Sequence, residues 1–376
     1  MAIKALWYLS MADGNYPWMP DGFFGVDLAR YRRLAETIDR GGFYGALVAT
    51  WPNDPLVSAS SVAGFTQRMK FLVAEYAGMT SPKLLAEQAL TFEAYYGDRL
   101  LFNHINGRDE RARTYAISTS ADDRYQLGEE YWKAFQAAYL AGNPSLFPNT
   151  RFGLEPRSAG GIPLWGTGES EAGVVHAGKV VDVYLLMLRE LDVMTEKFGR
   201  AVASAAEQGR RFADLGALAS VTVRRTEAEA RKQFYRMFEQ TGVALLKAKL
   251  DEVIGRRTQG ERNIATFEAP DAQRQEWLDY LRRDQLPPLE SLRLEHNLYA
   301  GMTAWSSLDI FGGGSSAAYL VGDPDALAAN IELYHQRSGL SALILSSWPL
   351  IDEAQHVADL LLPRLAEIGG GDTGEA

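Results

Sequence analysis

The segment best suited to chemistry runs Leu164-Trp165-Gly166-Thr167-Gly168-Glu169-Ser170-Glu171-Ala172. An apolar run enters a glycine-rich turn, and a helical pattern begins near Ser170. Free N–H groups at a helix start, approached closely because glycine has no side chain, make an anion site suited to a phosphate. Ser170 would add a hydroxyl donor. The same residues also read as a plain N-cap serine on a tight turn. There is no GxxxxGK[ST] and no strand-linked GxGxxG, which disfavours nucleoside triphosphate and dinucleotide sites of those kinds. The run Gly312-Gly313-Gly314-Ser315-Ser316 reads as a hinge or lid.

A second segment is Asn103-His104-Ile105-Asn106-Gly107-Arg108. Asn103 and Asn106 can offer amides to a heterocycle, and His104 points either into the core or into a pocket. Strand alternation puts His104 and Asn106 on one face and Asn103 and Ile105 on the other, so only one set faces inward. Asn106-Gly107 reads equally as a turn. Trp7, Trp51, Trp165 and Trp348 lie in or just after apolar runs. They can line an apolar pocket for a ring, or simply pack. The five histidines show no HxH or HxxxH spacing, and GESEA is not a GxSxG elbow. With no obvious metal site or nucleophile in the chain, a cofactor is the natural carrier of difficult chemistry.

The elements that must position these groups are strands and helices in alternation. Apolar runs fall at Ala5 to Leu9, Gly45 to Thr50, Phe71 to Tyr76, Leu100 to Ile105, Pro163 to Gly166, Val180 to Leu188, Ala217 to Arg224 and Ala342 to Ser347. Helical spacing occupies Arg30 to Arg40 before Gly41-Gly42, and again from Ser81-Pro82 to Tyr96 before Gly97. Continuous apolar strands separated by helices indicate a parallel sheet buried on both faces, and eight units close into a (β/α)8 TIM barrel. An open doubly wound sheet is the competing arrangement. Polar or charged stretches near 107–123, 141–161 and 251–314 are read as insertions after strands, at the C-terminal, active-site face. A single domain is expected over 1–368, with a flexible tail at 369–376.

The chain has 376 residues, 47% hydrophobic and 23% charged, which fits a folded globular protein with a large core. A net charge of -10 argues against nucleic acid as partner. The absence of cysteine excludes disulfides, zinc–thiolate sites and thiol nucleophiles. MAIKALWYLS does not read as a signal peptide, and no apolar run approaches the ~18–20 residues needed to cross a bilayer. A cytoplasmic enzyme is expected.

The order of several segments carries a resemblance. They include DGNYPW from Asp13, GGFYGALVAT from Gly41, FTQRMKFLVA from Phe65 and the long run from Thr80 to Asp109. DDRYQLGEEYW from Asp122, GIPLWGTGESEAG, VVDVYLL, NLYAG and AYLVGDPDALAANIELYHQRSGLSALILSSWPLIDEA follow. Taken together, the chain resembles the bacterial-luciferase superfamily, closest to its FMNH2-dependent alkanesulfonate monooxygenases.

The resemblance implies a TIM barrel carrying FMN at its C-terminal face. It places the flavin phosphate at Ser170 with the Gly168 and Glu169 backbone, Tyr125 near it, and Asn103 and Asn106 along the flavin. Trp7, Trp51, His104, Ser220 and Trp348 are then candidates for the substrate pocket. It further implies an NAD(P)H:flavin reductase that supplies FMNH2, O2 as co-substrate activated as a 4a-(hydro)peroxyflavin, and a homodimer or homotetramer. The departures point away from a plain alkanesulfonate. Where the sulfonate enzymes have a cysteine, this chain has Trp51-Pro52-Asn53; Leu218 and Ser220 replace an arginine and a histidine; Trp348 replaces a tyrosine. Another arginine is lost near Gly313, and a histidine becomes Ala121. Losing both arginines removes the paired charge that would hold a sulfonate, unless Arg108, Arg111 or Arg113 replaces it. A small neutral or aromatic substrate is expected. Hydride transfer with F420 or a bound flavin, and a non-catalytic flavin-binding barrel, are the alternatives; cofactor selectivity and turnover with FMNH2 separate them.

Overall fold

The computed structural model describes residues 3–50, 53–106, 123–143, 153–313 and 318–368. Trp51, Arg108, Arg111, Arg113, Ala121 and most of the stretch expected as an insertion at 107–123 lie outside them.

The strands are β1 (Lys4–Tyr8), β2 (Gly45–Val48), β3 (Lys70–Tyr76), β4 (Leu100–Ile105), β5 (Leu164–Gly166), β6 (Val183–Met187), β7 (Asp214–Val223), β8 (Arg293–Glu295), β9 (Leu298–Tyr299), β10 (Tyr319–Gly322) and β11 (Leu340–Ser346). Eight of them, β1 to β7 and β11, pair in parallel, each with the next. β11 pairs with both β7 and β1, so the sheet closes into a (β/α)8 barrel. Each apolar run read from the sequence overlaps one of these eight strands. The upper end of β7 outlasts β11 and pairs with β10, which carries the antiparallel β8–β9 hairpin.

The helices are α1 (Leu28–Arg40), α2 (Pro55–Ala63), α3 (Pro82–Tyr96), α4 (Asp123–Leu140), α5 (Glu171–Val180), α6 (Leu191–Glu207), α7 (Glu227–Arg257), α8 (Ala272–Arg282), α9 (Pro324–Ser338) and α10 (Leu350–His356). Their ends follow local chemistry. The Ser81 hydroxyl accepts from the Leu84 N–H at 3.2 Å, Pro82 opens α3, and Gly97 ends it at φ 80°. α7 breaks at Gly242, whose φ of 71° a side chain would resist, and it runs across position 251. The stretch beyond it is not a bare loop. α8 buries Trp277, Leu278 and Leu281 completely.

Two apolar layers result. Leu6, Leu47, Leu72, Leu101, Trp165, Val183, Leu185 and Ile344 fill the barrel lumen. Their strand neighbours, among them Trp7, Phe71, Phe102 and Leu345, pack outward against the helices. Alternation thus assigns every strand residue to lumen or helix layer.

A buried carboxylate ties α1 to β3. Asp39 accepts from the N–H groups of Gln67, Arg68 and Met69 at 3.0, 2.8 and 2.7 Å. Burial would raise its pKa, but these donors and the Arg68 charge hold it below the usual carboxylate value. Asp39→Ala orphans three donors and is expected to cost about 2–3 kcal/mol in urea denaturation at pH 7. Because the folded pKa is depressed, the stabilisation is present above the unfolded value of 3.8 and fades as pH falls through the folded one.

Candidate active site

Two features sit at the C-terminal end of the barrel. The first is a cavity of about 340 Å³ in the barrel mouth. Tyr8, Leu47, Tyr76, Leu218, Ile344 and Ser346 from the strand ends line it, with Ala12, Ala49, Thr50, Ala219, Ala304 and Trp305 around them. No Asp, Glu, Lys, Arg or His is among these lining residues. Trp305 is 43% exposed and its ring lies 5.0 Å from that of Tyr8. Burial raises the pKa of Tyr8 against a lowering hydrogen bond from Ser10, so the phenol keeps its proton at neutral pH. Ser220, fully buried, places its Oγ 3.2 Å from that of Ser346. Asn103 shares the lumen face of β4 with Leu101.

The second feature is a cleft at the β5–α5 turn, lined by Tyr125, Ser170, Glu171, Ala172, His176 and Lys179, with Gln126, Glu129, Glu130 and Val175. Ser170 caps α5, accepting from the Gly173 N–H at 3.1 Å, and its hydroxyl lies 3.1 Å from that of Tyr125. The N–H groups of Glu171 and Ala172, in the first turn, have no intrahelical partner. A side chain on Gly168 would put its Cβ 2.2 Å from the Gly173 carbonyl oxygen, so glycine is required for the turn to close on the helix start. Tyr184 donates to the Gly168 carbonyl at 2.5 Å, and Glu169 pairs with Lys197. Two hydroxyls, a tight glycine turn and the positive end of a helix fit a phosphate.

Of the residues expected at the site, Tyr125, Gly168, Glu169 and Ser170 come together at this cleft. Asn103 is separated from Asn106. The latter lies with Gly128 and His104, where its Oδ1 would stand 3.3 Å from a Cβ on Gly128. Trp7 and His104, expected in the substrate pocket, belong to the helix layer instead. Trp7 is fully buried and donates to the Leu350 carbonyl at 3.1 Å. His104 is 1% exposed and packs beneath α4 and α5. In both cases alternation turns the neighbouring residue, Tyr8 or Asn103, to the lumen. Trp348 is buried behind Trp305, ring centroids 5.4 Å apart, and does not line the mouth cavity. Tyr8, Tyr76, Trp305 and His176 were not singled out from sequence. For Tyr8 and Tyr76 the available signal was strand parity relative to Leu6 and Leu72.

A closed parallel barrel with an apolar mouth and a glycine-rich helix start at the same end is an architecture suited to a cofactor-dependent enzyme. Residues 9–341 match the luciferase-like monooxygenase family, and the chain belongs to that family of flavin-dependent monooxygenases. Solved structures agree in fold. An EDTA monooxygenase from Chelativorans sp. BNC1 is 17% identical with a TM-score of 0.68, over 97% of this chain and 94% of that one. A long-chain alkane monooxygenase is 16% identical with a TM-score of 0.73, over 97% and 91%. The oxygenating constituent of 3,6-diketocamphane monooxygenase from Pseudomonas putida, in complex with FMN, is 14% identical with a TM-score of 0.60, over 96% and 99%.

Proposed function

We propose that this enzyme uses reduced FMN, delivered by a separate NAD(P)H:flavin reductase, to oxidise a small uncharged organic substrate with O2. The observation that carries this reading is the pairing of a phosphate-type cleft with an uncharged, aromatic barrel mouth. The hydroxyls of Ser170 and Tyr125 and the backbone from Gly168 to Glu169 would hold the flavin phosphate, and Asn103 would serve the ring from the lumen face. Bound reduced flavin supplies the two electrons for oxygen activation. The residues themselves bind, orient and exclude water. Leu47, Leu218 and Ile344 give the mouth an apolar floor, and Trp305 over Tyr8 covers it. The protonated Tyr8 phenol can donate to a substrate oxygen. Among the described residues of the mouth lining none offers a counter-charge to a sulfonate or carboxylate, which favours neutral substrates.

The test is anaerobic titration with FMNH2 and with reduced riboflavin, followed by rapid mixing with oxygen under absorbance detection. The expected result is binding at least tenfold tighter for FMNH2, matching ~1.4 kcal/mol or more from phosphate contacts. A transient absorbance band distinct from reduced and oxidised FMN should follow. Equal binding of the two flavins, or oxidation at the rate of free FMNH2, would overturn the reading.

A further inference from the structure

Beside the cleft lies a buried chain of three rings whose proton positions follow from geometry. Trp132 Nε1 is 2.8 Å from His104 Nδ1, and both residues are about 2% exposed or less. An indole nitrogen only donates, so His104 Nδ1 accepts and the neutral ring carries its proton on Nε2. His104 Nε2 is 2.9 Å from His176 Nε2. One proton bridges that pair, and it is already on His104. His176 Nε2 therefore accepts, and the neutral His176 ring carries its proton on Nδ1.

The surroundings keep both rings neutral. Burial and the neighbouring His176 lower His104 to about 3 against the raising effect of a hydrogen bond with Asn106, and burial with Lys179 lowers His176 to about 4 against the raising effect of Glu129. Gly128 of α4 makes room for the pair: a Cβ there would lie 3.1 Å from His176 Cε1 and 3.2 Å from His104 Cε1. His176 also lines the cleft with Ser170, and its ring centroid is 5.1 Å from that of Tyr125. Among the described residues the cleft holds Glu129, Glu130 and Glu171 against Lys179, whose ammonium is 3.4 Å from Glu129. Among the described lining residues the neutral side chains able to donate to an anion are Tyr125, Gln126, Ser170 and His176.

We infer that the Nδ1–H of His176 is a third side-chain donor to the phosphate in this cleft, with His104 and Trp132 as positioning residues that hold its tautomer. This rests on the reading of the cleft as the flavin phosphate site. The tautomers are read directly from long-range 1H–15N spectra of the full chain labelled with 15N-histidine, with and without inorganic phosphate and FMN. His104 should appear as the Nε2–H form and His176 as the Nδ1–H form, and only the His176 Nδ1 resonance should move on addition of either anion. In fluorescence titrations, His176→Phe should lose about tenfold in FMN affinity with riboflavin affinity unchanged. His176→Asn, whose amide nitrogen takes the place of Nδ1, should retain most of it. A His176 proton on Nε2, or an Nδ1 resonance indifferent to phosphate and FMN, would overturn the inference without use of any variant. FMN binding unaltered in His176→Phe but weakened in Ser170→Ala would overturn it and leave the phosphate site standing. Unaltered binding in both would remove the phosphate reading itself.

Discussion

Glu75→Gln is expected to stabilise the protein by roughly 4 kcal/mol at pH 8.5 and to change little near pH 4. Glu75 points from β3 into the helix layer, is 7% exposed, and its Oε1 has no hydrogen-bond partner among the described residues. Burial chiefly, then the charge of Asp54, raises its pKa from 4.5 to about 8, against a lowering hydrogen bond from Thr80. The folded protein thus keeps a proton that the unfolded chain releases above 4.5. Stability is full below that pH, declines as pH rises towards about 8, and is flat beyond. Glutamine matches the neutral acid in shape and has no proton to lose, so the decline disappears. Its register partner on β4 is His104, which is also uncharged at neutral pH. The ends of β3 and β4 therefore present a band of buried polar groups held neutral. Urea denaturation of both proteins from pH 4 to 9 checks this. Parallel stability curves would show that Glu75 is already ionised in the fold.

Gly168→Ala is expected to weaken FMN binding about 100-fold, or ~2.7 kcal/mol, while leaving riboflavin affinity within a few-fold. The added methyl would stand 2.2 Å from the Gly173 carbonyl oxygen and 2.9 Å from its Cα, both backbone atoms that cannot rotate away. The turn must lift from the helix start. Ser170 then leaves the Tyr125 hydroxyl, now 3.1 Å away, and the first-turn N–H groups lose their common focus. Paired titrations with FMN and riboflavin measure the effect. An equal loss for both flavins would indicate general unfolding, which the melting temperature reports separately. An unchanged FMN affinity would place the phosphate elsewhere.

The barrel was legible because its signals are local. A strand buried on both faces is mostly apolar, so GALV in β2 and the FLVA run of β3 announce themselves without knowledge of their neighbours. Helix ends are equally local: Ser81-Pro82 and Gly97 act within one turn of α3. The phosphate-type turn belongs to the same kind of information, since Gly168, Ser170 and Gly173 lie within six residues. Even Tyr125, 45 residues away, was reached only through resemblance, not through spacing.

The walls of the mouth were not legible in that way. Trp7 and Tyr8 are adjacent aromatics of similar standing in the sequence, yet one is sealed against the helices and the other faces the lumen. The difference is strand parity, and parity acquires a direction only when β11 pairs with β1 and closes the ring. His104 and His176 are 72 residues apart and carry no metal-type spacing, so nothing before folding brings their Nε2 atoms to 2.9 Å. Trp305 reaches Tyr8 across 297 residues of chain. Short-range backbone preference and apolar continuity therefore sufficed for the barrel, its strand count and the glycine turn that leads into α5. Which side chains meet inside it, and where their protons sit, came from closure of the sheet and the docking of α4 and α5, because those contacts join residues that no local rule connects.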